Sequence, residues 1–190
     1  DGELLAWFIL ADRTRAQAAD LIKALQKDQR EVVLISGDKS DVVQPFATQL
    51  HISEALANAT PADKLARVQA WQASGKTVAM TGDGINDAPV LQQADVAIAM
   101  GHGSSLTQMQ ADLVVQSGDL NDVYAAHSIA KRARMLIHQN LAWALLYNLI
   151  AIPLAATDHV NPLIASIGMA FSSLIVVGNA LRVLRPVPRL

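Results

Sequence analysis

Residues 76–91 read KTVAMTGDGINDAPVL, and the order of side chains in this stretch decides what the rest of the chain has to be. The run TVAM reads as a buried strand. The glycines that follow leave backbone amides open to a ligand, and Asn86, Asp87 and Pro89 open a helix whose N-terminus favours anions. Asp83 and Asp87 then hang over the strand end. Two carboxylates beside a phosphate site repel each other unless a cation lies between them, and Mg²⁺, held by one or two carboxylates with phosphate oxygen and water, suits that place. Taken alone, Gly-Asp-Gly reads as no more than a tight turn; the full string asks for a phosphate and a cation.

Working outward, short apolar runs alternate with helical patterns from Leu4 to about Gly118. LLAWFILAD, EVVLISG, KTVAMTG, VAIAMG and LVV are separated by stretches of helical periodicity at 17–28, 41–50, 61–74 and 86–93. That alternation predicts a doubly wound α/β fold, a parallel sheet covered on both faces. Ligands of such sheets bind where strands end and helices begin, and the turns SGDK (36–39) and TGDG (81–84) both fall at that edge.

The composition divides near residue 122. Up to Asp122 there are sixteen acids and nine Lys/Arg, whereas from Val123 onward one acid, Asp158, faces six Lys/Arg. Over half of the residues are hydrophobic, 52%, which is high for a soluble domain. The excess lies in two apolar stretches, about 136–156 and 162–183, each about as long as a bilayer is thick. They predict an antiparallel membrane hairpin joined by TDHVNP. Lys131, Arg132 and Arg134 precede it, Arg182, Arg185 and Arg189 follow it, and the connection carries no Lys or Arg, so the outer ends and the α/β region are expected on the cytoplasmic side. The expected domains are thus 1–122 and 123–190. Two buried helices of a soluble protein are the alternative. Cysteine is absent, which excludes disulfides and thiolate sites within these residues. Asp1-Gly2-Glu3 leads directly into an apolar run, and the chain reads as a piece of a longer one.

TGDGINDAP resembles the hinge motif of the P-type ATPases, whose phosphorylation domain has the haloacid-dehalogenase-like fold. SGDK resembles that family's Thr/Ser-Gly-Asp turn, and the resemblance implies that the Ser36 hydroxyl and the Gly37 amide hold phosphoryl oxygens, with Asp38 completing the turn. PADK (61–64) resembles its Pro-x-Asp-Lys segment, which implies that Lys64 neutralises the phosphoryl group and that Asn86 contacts it, with Asp83 and Asp87 at Mg²⁺. In isolation Lys64 reads equally as a surface lysine, and Ser36 as a turn residue.

In the family an aspartate of an Asp-Lys-Thr-Gly-Thr segment takes the γ-phosphoryl group of ATP. That segment does not occur here: Asp-Lys is found only at Asp38-Lys39 and Asp63-Lys64. The chain is therefore expected to carry the rear half of the phosphorylation domain without its nucleophile or ATP-binding domain, and by itself to hydrolyse nothing by that route.

Polar groups deep in a bilayer are costly unless they pair or line a pathway. Tyr147-Asn148 falls near the middle of the first span, ahead of Pro153, and Met169 and Ser173 lie four apart in the second. A thioether is a soft ligand that suits Cu(I). YNLIAIP, GMAFSS and VVGNALR are similar to the last two membrane helices of the copper-transporting branch of the heavy-metal P-type ATPases. This resemblance implies that Tyr147, Asn148, Met169 and Ser173 contribute to an intramembrane copper site completed by a Cys-Pro-Cys motif elsewhere. It also implies ATP as energy source, a copper chaperone as partner and a bacterial inner membrane as location.

Met169 reads otherwise as a gap-filling residue, and Asn148, Ser172 and Ser173 as interhelical hydrogen-bonding groups. Lys39 stands where copper exporters commonly carry Asn, and GHGSSLT (101–107) replaces a Gly-Thr-Gly-Thr-Asp-like segment. The short connection looks closest to the subgroup linked to assembly of haem-copper oxidases. His102 and His138 receive no role. The rival readings are a pump for another metal such as Zn²⁺, which would place charged residues in the spans, and a non-catalytic membrane regulator.

Overall fold

A computed structural model describes residues 14–15, 17–82, 87–101, 105–157 and 161–187. The chain forms two compact units, one up to Tyr124 and the other from Ala125.

In the first unit α1 (Ala18–Lys27), β1 (Val33–Ile35), α2 (Ser40–Gln49), β2 (Glu54–Leu56), α3 (Pro61–Ala73), β3 (Ala79–Gly82), α4 (Ala88–Gln93), β4 (Val96–Met100), α5 (Ser105–Met109) and β5 (Leu113–Val115) follow one another. All strand pairs are parallel. β1 pairs with β2, Leu34 opposite Ala55; β3 pairs with β4, Met80 opposite Ala97, and β4 with β5, Ala99 opposite Val114. The strands form two sheets, β1-β2 and β3-β4-β5; parallel pairing puts SGDK after β1 at the C-terminal edge of the first and Gly82, the last residue of β3, at the C-terminal edge of the second.

Helix α1 links the two groups of strands through adjacent residues. Leu21 packs with Met100, Val115 and Val123, while Ile22 packs with Ala47 and Ile52. The deepest side chains, Val68 of α3 and Val90 and Leu91 of α4, are essentially inaccessible to solvent, so α3 and α4 are held firmly beside β3. Where β4 leaves the sheet only glycine fits at 101, since a Cβ there would lie 2.3 Å from the carbonyl oxygen of Gln116.

Two elements differ from the sequence reading. β2 was not expected, because Glu-Ala-Leu offers only three residues and one is charged; its strand character comes from pairing with β1 rather than from propensity. Helix α5 is as short and as cryptic. The expected strand in LLAWFILAD lies outside the described residues.

The second unit is built from α6 (Leu120–Ala156) and α7 (Pro162–Ala180), the latter continued by a 3₁₀ turn over Leu181–Leu184. α6 starts sixteen residues before the apolar stretch expected at 136–156. At 1.5 Å per residue its 37 residues extend about 55 Å, well beyond the roughly 30 Å of a hydrocarbon core. Both helices are long and apolar enough to cross a membrane. Their apolar side chains are not the core of a soluble domain: Leu145, Leu149, Leu163 and Leu174 are 72%, 69%, 68% and 68% exposed. Asn161 caps α7, its Oδ1 accepting from the Ile164 amide at 2.8 Å, with Pro162 in the first turn where its missing amide costs nothing.

Candidate functional site

Lys64 is delivered by a helix start that the local sequence dictates. Thr60 Oγ1 accepts from the Asp63 amide at 3.2 Å, and the Asp63 carboxylate accepts from the Thr60 amide at 2.9 Å and from its hydroxyl at 2.6 Å. This capping box, with Pro61 at the first helical position, fixes the first turn of α3 and hence the residue after it. Thr60→Ala is expected to cost about 1 kcal/mol of stability, read as a lowered midpoint in urea unfolding with unchanged slope.

The Thr60 contacts, side chain first and then backbone, hold Asp63 below the ordinary carboxylate range. The Val78 amide, followed by Gln72, does the same for Asp95. Both folded pKa values are lowered, so this stabilisation is whole above the pKa of the unfolded carboxylates and drains away as the pH falls through the lower folded values. The contribution of these two carboxylates is therefore expected to be lost only below pH ~4, and Asp63→Asn is expected to flatten that part of a pH–stability profile.

From that fixed turn the Lys64 ammonium donates to Asp87 Oδ1 at 2.7 Å, with both side chains largely withdrawn from water at 13% and 17% exposure. The pair joins PADK to the end of TGDGIND across 23 residues of sequence. Gln72 and Gln93 lock the same two helices together at their other ends: Gln72 Nε2 donates to the Gln93 carbonyl at 2.9 Å and Gln93 Nε2 to Gln72 Oε1 at 2.8 Å. Gly82 leaves room for the aspartate, because a Cβ there would lie 3.3 Å from Asp87 Cβ and 3.4 Å from Oδ2.

The SGDK turn is built around its serine. Ser36 Oγ donates to Asp38 Oδ2 at 2.7 Å and accepts from the Asp38 amide at 3.2 Å. The Ala59 amide donates to the Ser36 carbonyl at 2.9 Å and the Asn58 amide to that of Asp38 at 2.7 Å, tying the turn to the segment that leads into α3. A Cβ on Gly37 would meet the Ala59 carbonyl at 3.5 Å, an ordinary contact. Residues 36–38, 58–64 and 87 are thus brought together through the start of α3. Asp83 and Asn86 lie outside the described residues, as does His102.

Sequence reasoning missed Thr60 and Asp63, although Thr-x-x-Asp before an apolar periodicity is a readable signature. It also missed that Asp87 serves Lys64. Among the described residues no group of three or more His, Cys, Asp or Glu gathers to hold a metal.

In the hairpin the half-buried positions of α6 and α7 form a seam. Trp143 Nε1 donates to Ser172 Oγ at 3.1 Å, and Asn179 Nδ2 donates to Asn140 Oδ1 at 2.9 Å. The Tyr147 hydroxyl lies 3.0 Å from where a Cβ on Gly168 would sit, so glycine makes room for the phenol. Asn148, Met169 and Ser173 are exposed, Met169 at 64%. Of the four expected copper ligands, Tyr147 therefore sits at the seam and the other three lie outside it. Ser172 is an interhelical hydrogen-bonding group. His138 Nδ1 is spent on the Arg134 carbonyl at 2.7 Å.

The haloacid dehalogenase-like hydrolase profile matches residues 1–95, the stretch that contains SGDK, PADK and TGDGIND. This chain belongs to that family. Its resemblances extend further. Probable copper-exporting P-type ATPase V of Mycobacterium tuberculosis is 40% identical over 97% of the chain. Probable copper-transporting ATPase PacS of Synechococcus elongatus is 38% identical over all of it. The chain spans about a quarter of these relatives, 24% and 26% respectively. Among solved structures, a zinc-transporting PIB-type ATPase in its E2.Pi state matches 92% of the chain at TM-score 0.85 and 30% identity, with 28% of that protein covered. The last match includes the long apolar helices as well as the parallel sheet.

Proposed function

We propose that this chain is the rear half of the phosphorylation domain (1–122) and the final membrane hairpin (123–190) of an ATP-driven Cu(I) transporter. The observation that carries the first part is the Lys64–Asp87 pair at the C-terminal edge of the parallel strands. It presents a fixed ammonium close to the end of β3, where a phosphoryl group would rest, and the Ser36–Gly37–Asp38 turn is tied to the same helix start. Lys64 neutralises phosphoryl oxygen charge, Asp87 holds the lysine in place, and Ser36 and Gly37 donate to the remaining oxygens, with Asn86 beside them. Mg²⁺ would be held by Asp83, with Asp87 next to it, and would offset charge on the phosphoryl oxygens. The nucleophilic aspartate and the ATP-binding domain belong to other parts of the protein.

Copper is favoured over zinc by the donors in the spans. No Lys, Arg, Asp or Glu occurs between Met135 and Ala156 or between Pro162 and Leu181, whereas a thioether, the donor that suits soft Cu(I), is present at Met169. Tyr147, Asn148, Met169 and Ser173 are the proposed ligands from this hairpin. The α/β unit faces the cytoplasm, the membrane is a bacterial inner membrane, and a copper chaperone delivers the ion.

The test is a phosphoenzyme assay on the intact protein with radiolabelled ATP and Mg²⁺. An acid-stable, hydroxylamine-labile adduct that disappears on chelation of Mg²⁺ is expected. A protein that never becomes labelled, with ATP bound, would return the chain to a regulatory role.

A further inference from the structure

The outer end of the hairpin carries a feature that neither phosphoryl chemistry nor the copper ligands use. Arg132 Nη1 donates to the carbonyl of Arg185 at 2.5 Å, and Arg182 Nη1 donates to Asn179 Oδ1 at 2.7 Å and to Gln139 Oε1 at 3.3 Å. These contacts set the basic residues of α6 and those that follow α7 at one height, although they lie some fifty positions apart in sequence. Lys131, Arg134, Arg182 and Arg185 are exposed there. So are apolar neighbours, Met135, Leu181 and Leu184, at 48%, 58% and 76%. Beyond Asp122 in the first turn of α6, the hairpin brings no carboxylate to this end, the sole later acid being Asp158 in the connection between the helices.

Guanidinium and ammonium groups interleaved with apolar side chains, at the level where an apolar span stops, match one kind of surface. The phosphodiester of a lipid headgroup accepts from the cations while the adjoining leucine and methionine meet the acyl chains. A net negative headgroup is favoured over a zwitterionic one because from Val123 onward six Lys/Arg face a single acid, Asp158, which lies in the connection. We propose that Lys131, Arg134 and Arg185 form a collar that binds anionic phospholipid. Arg132 and Arg182 hold the two helix ends in register for it. The proposal rests on the membrane reading above.

The test uses the intact protein in a nonionic detergent with equal amounts of phosphatidylglycerol and phosphatidylcholine, the retained lipid being counted by mass spectrometry. Retention of the anionic lipid is expected to exceed that of the zwitterionic one by roughly tenfold or more. Each cation near an anionic surface contributes about fivefold, so the triple variant Lys131→Gln, Arg134→Gln, Arg185→Gln is expected to abolish the preference. The charge-conserving set Lys131→Arg, Arg134→Lys, Arg185→Lys is expected to keep it, which separates charge from folding. Equal retention of both lipids, a neutral triple variant that retains the preference, or displacement by inorganic phosphate at the lipid's own concentration would each overturn the collar. Failure of the membrane reading looks different: the protein would remain in solution without detergent.

Discussion

Lys64→Met in the intact protein is expected to lower the rate of phosphoenzyme turnover by about 10²–10³-fold, the usual loss when one fixed group that stabilises developing charge is removed. The reason lies in how the ammonium is held. Thr60 and Asp63 cap α3, so the lysine leaves a rigid turn, and Asp87 receives it at 2.7 Å in a place where neither side chain is more than 17% exposed. The methionine variant keeps the bulk of the side chain and leaves Asp87 negative beside the phosphoryl group.

Asp87→Asn is expected to reach a similar loss by another route, because the lysine is then no longer positioned. Removing one partner of a largely buried pair also costs stability, here on the order of 1–3 kcal/mol, less than for a fully enclosed pair because both groups keep some access to water. The double variant should be barely worse than either single one, since residues acting as a unit are not additive. Additive losses, measured as phosphoenzyme decay rates, would mean that the two side chains act separately.

Met169→Leu is expected to reduce Cu(I) transport at least tenfold while leaving the fold intact. Leucine conserves the volume and removes only the sulfur, and volume-conserving exchanges of this kind are tolerated. The side chain is 64% exposed in this hairpin, so little packing is at stake, and the change in unfolding free energy should stay within about 1 kcal/mol. Copper uptake into vesicles measures the first effect and thermal unfolding the second. Transport at the wild-type rate would leave Met169 a packing residue against a neighbouring helix.

The parallel α/β architecture was legible because its strands are near-continuous apolar runs punctuated by glycine turns, and VAIAM and LVV became β4 and β5. β2 was not, since a strand of Glu-Ala-Leu owes its conformation to its partner. The apolar boundary at 136 marked where polarity changes, not where the helix starts: α6 runs back through YAAHSIAKRAR without interruption. The motif residues could be located by type and spacing, but which side chain serves which could not. Nothing in the sequence joins Lys64 to Asp87, because the contact depends on the packing of α3 against α4. In the hairpin, the spacing of Met169 and Ser173 gave a shared helix face, whereas the seam through Trp143, Tyr147, Gly168 and Ser172 became visible only when the two helices were paired.

ATP hydrolysis by the intact protein tests most directly whether phosphoryl chemistry in one unit is coupled to a soft ion in the other. Measured in detergent with Mg²⁺, with Cu(I) under reductant in one arm and Zn²⁺ in the other, hydrolysis is predicted to rise with Cu(I) and to stay at its basal level with Zn²⁺. Stimulation by Zn²⁺ alone would contradict the account of the membrane hairpin, and hydrolysis indifferent to either ion would contradict the coupling itself.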